Sequence, residues 1–222
     1  MGKDKTGGKW GKGGGIDPAN IVNRSSLISE RESKQKLVDE TLKVFRDMND
    51  QYGSVVDEVE LATIKGKDST AMAYCDGTNI GVNRSYFSDR METAYDECVK
   101  AGFHPGRGDK TAVEAVIAHE FGHKLSADIG RLIGTQQARG SSGIFVDYTS
   151  SGADYVMREA MKSLKGTGIR GVHQLAASIS GYAKQSKAET VAEAVADVYC
   201  NGAKAKRGSK AIVDVINKVL KK

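Results

Sequence analysis

Leu37, Thr41, Val44, Phe45, Met48 and Tyr52 recur at spacings of three and four, and Gly53 closes the run. Those steps place one stripe on one face of a helix. Ser29 and Glu32 have capping-box spacing ahead of it, so a helix is expected to begin after Ser29. Between Ser54 and Arg84 the period changes. Val55, Val59, Leu61 and Ile64, then Ala71, Ala73 and Cys75, then Ile80 and Val82 predict three short strands. Turns are expected at Lys65-Gly66-Lys67-Asp68 and Asp76-Gly77, giving a small antiparallel sheet.

Helical spacing returns over about 88–101, and the Gly/Pro-rich loop from Gly102 to Gly108 must interrupt it. A further helix starts at Asp109 or Thr111. Thr111 and Glu114 form a second capping-box pair, and Val113, Val116, Ile117 and Phe121 supply an apolar flank. Gly134 to Gly152 reads as a long polar connection on the substrate side of a site. Helices are then predicted at about 153–165, 168–179, 187–200 and 209–221. The order of helix, sheet and further helices argues an α+β fold.

Composition narrows the class. The chain has 222 residues, 39% hydrophobic and 27% charged, which suits a globular domain with a real core. No apolar run approaches the ~20 residues of a membrane span, and no secretory signal is visible. Three cysteines, Cys75, Cys98 and Cys200, without CxxC pairing suit buried thiols in a reducing compartment rather than a disulfide framework. Seven of the first fifteen residues are Gly, so residues 1–28 read as a flexible Gly/Lys arm, whose MGKDKT start loosely fits a myristoylation pattern. Charge is uneven: the net +5 divides into +3 over residues 1–15, +6 over 203–222 and −4 between them. The basic C-terminal helix could dock on nucleic acid or another polyanion, although no stacking-aromatic or helix-turn-helix pattern accompanies it.

The segment His119-Glu120-Phe121-Gly122-His123 is an HExxH. On a helix, positions four apart lie one turn above each other, so both imidazoles can reach one metal ion. Glu120, one step round, can instead reach a water on that ion and act as general base. With 4 His and 12 Glu in the chain, chance would supply only ~0.004 such matches. Two histidines need a third ligand. Position 129, where a longer histidine signature would continue, is Ile129, while His104 and His173 read as structural or solvated. A carboxylate from a second helix is therefore expected. Glu189, Glu193 and Asp197 share one face of the 187–200 helix at i, i+4, i+8. Ser186 and Glu189 also have capping-box spacing, which offers Glu189 a different task. Three carboxylates on one stripe without i,i+4 lysines repel one another, however, and a cation would offset that.

Tyr182, Glu189 and Ala192-Glu193 resemble the tyrosine and ExxAE helix of lethal-factor-type zinc metallopeptidases, a pattern shared with metallopeptidase domains of phage head-associated proteins. The stretch from Phe103-His104-Pro105 to His123 is similar to the phage-type version. The likeness spans roughly residues 70–200, and Thr190 and Val191 stand where the family has aromatics. It implies a zincin-like α+β fold with zinc held by His119, His123 and Glu189. It also implies Tyr182 as oxyanion stabiliser and Glu193 as partner to the ring N–H of a ligating histidine. Glu193 with Asp197 also matches the ExxxD of thermolysin-like enzymes, which would make Glu193 the ligand and Asp197 its histidine-orienting partner. The tyrosine spacing fits only the Glu189 register.

The expected function is a zinc metalloendopeptidase of the gluzincin type. By the resemblance it acts on virion or host proteins within the producing cell, or travels packaged in the particle; separately, the Gly-rich arm is expected to be a self-processing segment. A non-catalytic virion or interaction protein that retains the fold, with its basic tail on nucleic acid or a protein partner, is the contrasting expectation. Glu120 separates the two, since a purely structural metal site has no use for that carboxylate.

Overall fold

Thr111 and Glu114 cap each other as their spacing demands: the Glu114 N–H donates to Thr111 Oγ1 (3.2 Å) and the Thr111 N–H to Glu114 Oε2 (2.9 Å). The helix they start has its apolar positions nearly all round, which suits an element enclosed on every side. The computed structural model describes residues 32–53, 56, 58–64, 70–86, 89–137 and 147–221. Its order is α1 (Glu32–Tyr52), β1 (Glu58–Ala62), β2 (Ala73–Cys75), β3 (Asn79–Asn83), α2 (Asp89–Lys100) and α3 (Ala112–Gln137). Then follow α4 (Tyr148–Ser163), α5 (Val172–Ile179), a 3-10 turn at Tyr182–Gln185, α6 (Lys187–Asn201), a 3-10 turn at Gly202–Lys204 and α7 (Arg207–Leu220). The fold is mixed α+β and mainly helical.

Helix α3 has 26 residues and is ~39 Å long at 1.5 Å per residue. Val113, Ile117, Phe121, Leu125 and Ile129, each four apart, are all buried. Around this axis pack α1, α2, β2, α4, α6 and α7. The α1 stripe reaches the core as expected: Thr41, Val44, Phe45, Met48 and Tyr52 are buried, and Phe45 meets Phe121 edge-on at 5.0 Å. The Leu37 side chain, Ser29, the turn at 65–68 and the N-terminal arm lie outside the described residues. Among the described residues no helix is long and apolar enough to cross a membrane. All three cysteines carry free thiols.

Two expectations need correction. The sheet is mixed rather than antiparallel, in the order β1-β3-β2. β2 pairs antiparallel with β3, Tyr74 opposite Gly81, whereas β1 runs parallel to β3, Glu60 opposite Gly81. The tight turn at Asp76, whose carboxylate accepts the Thr78 and Asn79 N–H groups at 2.8 and 2.7 Å, forces the hairpin. β1 takes the edge of β3 that the hairpin leaves open. The second correction concerns the stretch from Gly134 to Gly152. Gly134 and Gly152 lie within helices, not in a connection between them. A Cβ at Gly152 would stand 1.8 Å from the Ser126 carbonyl oxygen, and one at Gly130 1.9 Å from that of Tyr148. These glycines let α3 and α4 touch backbone to backbone.

Helix α7 belongs to the same core. Ile212 and Ile216 are fully buried and the helix packs on α4, α5 and α6, while Arg207, Lys210, Lys218 and Lys221 line its solvent side.

Glu114 also ties α3 to α1, because Lys43 Nζ lies 2.5 Å from its Oε1. Burial alone would raise this carboxyl, but the Lys43 ammonium, the Thr111 N–H and Lys110 together hold it below the usual 4.5. A depressed carboxyl stabilises the fold fully above its unfolded pKa and loses that contribution as pH falls through the folded value. Glu114→Gln is therefore expected to cost about 1 kcal/mol at pH 7, Lys43 being half-exposed. The gap to the parent should close below pH ~4.5. Thermal melts of both proteins from pH 7 down to pH 3 measure this; a gap that stays constant with pH would refute the assignment.

Candidate metal centre

His119 and His123 lie one turn apart on α3, with ring centroids 5.0 Å from each other. Helix α6 crosses α3 at Gly122, where an added Cβ would meet Ala192 Cα at 2.5 Å. That close approach brings the acidic face of α6 to the two imidazoles. Ser186 caps α6 by accepting the Glu189 N–H at 3.0 Å, so the cap forms through the backbone of Glu189 and leaves its carboxylate for another task. Glu189 Oε2 lies 3.1 Å from His119 Nε2 and 3.4 Å from His123 Nε2. The same oxygen is buried and makes no well-directed hydrogen bond. Three donor atoms thus face a common point rather than each other. A tetrahedral ion with bonds of ~2.0–2.1 Å separates its ligand atoms by ~3.3–3.4 Å, close to the two spacings seen. His119, His123 and Glu189 could therefore hold a metal ion; among the described residues theirs is the group with that property.

Glu193, one turn beyond Glu189 and almost fully buried, is bound on both oxygens. Oε1 accepts from His119 Nδ1 at 2.8 Å and from His104 Nδ1 at 2.9 Å, and Oε2 accepts from Ser180 Oγ at 2.7 Å. Burial opposes its ionisation, but the two imidazoles more than offset that, and its pKa falls to about 2. As a carboxylate it accepts Nδ1–H from His119, which leaves the Nε2 lone pair of that ring facing Glu189. Burial would lower the pKa of His119, yet Glu189 and Glu193 together raise it well above its usual 6.5.

Asp197 is not brought to either histidine ring. Its oxygens accept from Asn201 Nδ2 and the Lys206 N–H, both at 2.9 Å, so it fastens the end of α6 to the start of α7. The register with Glu193 as ligand and Asp197 as histidine-orienting partner is therefore not the one the fold presents. The arrangement is Glu189 toward Nε2 and Glu193 toward Nδ1.

Glu120 is buried, 6% exposed, and lines a cleft of about 370 Å³ with His119, His104, Tyr182, Tyr95, Phe103 and Met72. Burial raises its pKa, His119 and His123 oppose that, and Glu189 and Glu193 reinforce it. Tyr182 stands with its ring centroid 5.8 Å from that of His119. Burial first, then Glu189, Glu120 and Glu193, push its phenol up to about 12, so it remains an O–H donor at neutral pH. The Gly181 and Tyr182 N–H groups donate to the Gly102 and Phe103 carbonyls, both at 2.9 Å. This ties the tyrosine to the loop that follows α2.

His104 is the residue sequence reasoning missed. It reads as structural or solvated from its Pro/Gly setting, yet it lines the cleft and shares the carboxylate of Glu193 with His119. The loop that carries it is rigidly held. Arg107 Nε and Nη2 donate to Asp96 at 2.8 and 3.0 Å, Tyr95 Oη donates to the Pro105 carbonyl at 3.3 Å, and Asn201 Nδ2 to that of Gly106 at 2.5 Å. The one available signal was its place in Phe103-His104-Pro105; its partner lies 89 residues away in the chain. His173 is exposed on α5. No protein-family profile, curated protein or solved structure shows significant similarity to the chain.

Proposed function

We propose that the protein is a zinc-dependent metalloendopeptidase of the gluzincin type, with a zincin-like arrangement of α3 and α6. The observation that carries this reading is the buried, unbonded Glu189 Oε2 set between two Nε2 atoms, with a second buried carboxylate, Glu120, on the same helix as the histidines. A site of two neutral imidazoles and one carboxylate matches zinc, and catalytic zinc sites keep a further position open. Bound zinc supplies Lewis-acid polarisation of a carbonyl and lowers the pKa of water from ~15.7 towards ~7.

The chain's own residues supply the rest. Glu120 takes a proton from the attacking water and delivers it to the leaving amine. Its burial makes it a stronger base than a solvated glutamate. Tyr182 donates its phenolic proton in a hydrogen bond to the substrate carbonyl oxygen as charge develops there. Glu193 fixes the tautomer and orientation of His119. The short β2 edge and the aromatic residues of the 102–104 loop wall the cleft and limit water around the bound peptide.

Purified protein is expected to carry about one zinc per chain and to cleave a peptide library. Glu189→Ala should lose the metal while keeping the parent's circular dichroism spectrum. Elemental analysis with no zinc in the loaded parent, or equal zinc in the variant, would sink the assignment.

A further inference from the structure

Glu193 holds two imidazoles with one oxygen, and only one of them belongs to the metal group. A carboxylate that merely orients His119 needs no second histidine on the same atom. His104 is nevertheless built in with care. Its ring stacks on Tyr95 at 5.2 Å and 5°, and meets Phe103 and Tyr182 edge-on at 5.2 and 5.3 Å. In the tautomer that donates Nδ1–H to Glu193, the imidazole carries a lone pair on Nε2. That atom is bonded to no described residue, and the ring lines the cleft beside Tyr182 and Glu120.

We propose that His104 contacts the substrate, its Nε2 accepting a backbone N–H of the bound peptide next to the group that Tyr182 reads. Tyr182 offers a donor and His104 an acceptor from neighbouring rings whose centres lie 5.3 Å apart, and a peptide backbone presents an acceptor carbonyl beside a donor N–H. The pair thus selects a peptide backbone over an ester, which has no N–H to donate, deepening the peptidase reading on which it rests. Glu193 becomes the common anchor of one metal-facing and one substrate-facing imidazole. Movement of α6 would then disturb both together.

The test uses the zinc-loaded full chain and two probes measured by calorimetry. Acetohydroxamate binds through the metal alone; the phosphinic peptide Ac-Ala-Ala-ψ(PO2–CH2)-Leu-Ala-amide also spans the cleft. The variant His104→Asn keeps an amide N–H near the Nδ1 position for Glu193 but has nothing in place of Nε2. It is expected to bind acetohydroxamate and zinc as the parent does, and the phosphinic peptide roughly 3- to 10-fold more weakly, as for one lost hydrogen bond. N-methylation of one backbone amide of the probe should weaken the parent by a similar factor and leave His104→Asn unaffected. His104→Ala should behave as His104→Asn toward the phosphinic peptide. Equal binding of the phosphinic peptide by parent and His104→Asn would overturn the proposal alone, as would equal weakening of both probes, which would make His104 a support of the metal group. A parent that binds neither zinc nor acetohydroxamate overturns the peptidase reading and this proposal with it.

Discussion

Glu120→Gln is expected to retain zinc at about one per chain and to lose peptide cleavage by ~10²–10⁴-fold, the usual worth of a positioned general base. The substitution keeps size and shape but removes proton affinity. It leaves untouched the three groups that face the common point, because Glu120 is not among them. Binding of a phosphinic peptide should survive, so the loss should fall on kcat rather than KM. The raised pKa of Glu120 sharpens the expectation, since burial and the nearby Glu189 and Glu193 make it a better base than glutamine could mimic. Rates for zinc-loaded parent and variant on one peptide, with metal content measured in the same samples, decide the matter. A variant that cleaves as fast as the parent removes the mechanism.

Gly122→Ala is expected to destabilise the fold and weaken metal binding together, although alanine is the better helix former. The helical gain is only ~0.5–1 kcal/mol. Against it, the new Cβ would stand 2.5 Å from Ala192 Cα and 3.3 Å from Ala192 N. Backbone cannot rotate aside as a flexible side chain can, so α3 and α6 must separate, at an overpacking cost of ~1–3 kcal/mol. His119 and His123 ride on α3 and Glu189 on α6, and separation pulls the third donor from the first two. A net loss of ~1–2 kcal/mol in stability and at least ~10-fold in zinc affinity is expected. Denaturant melts with and without zinc measure both. A variant more stable than the parent, with unchanged affinity, would mean that the helices do not touch at Gly122.

The metal-facing group was unusually legible because half of it is local. A four-residue step on a helix fixes the relation of His119 to His123 without reference to the rest of the chain. The same holds for Thr111 with Glu114, whose reciprocal bonds follow from a three-residue spacing. Glu189 was narrowed by pattern to one of three carboxylates on a helix face, and contact with α3 separates them. Glu189 meets Nε2, Glu193 meets Nδ1, and Asp197 turns to the α6–α7 junction. The sheet was legible as three strands but not in its pairing, because alternation along a strand is the same for parallel and antiparallel neighbours.

Glycine shows the boundary most clearly. At Gly77, with φ of 90°, a turn residue behaves as its local sequence says. At Gly152 the same residue type marks a close contact between α3 and α4, and reading Gly134 to Gly152 as a connection cuts both helices short. His104 is the parallel case in chemistry, a lone imidazole in a Pro/Gly loop whose partner lies on α6.

Local spacing, set by backbone periodicity, therefore determined the helices, the paired imidazoles and the nearby base. Which acid completes the group, which histidine enters the cleft and where helices may touch depend on atoms brought together from distant parts of the chain. Packing alone chooses those neighbours.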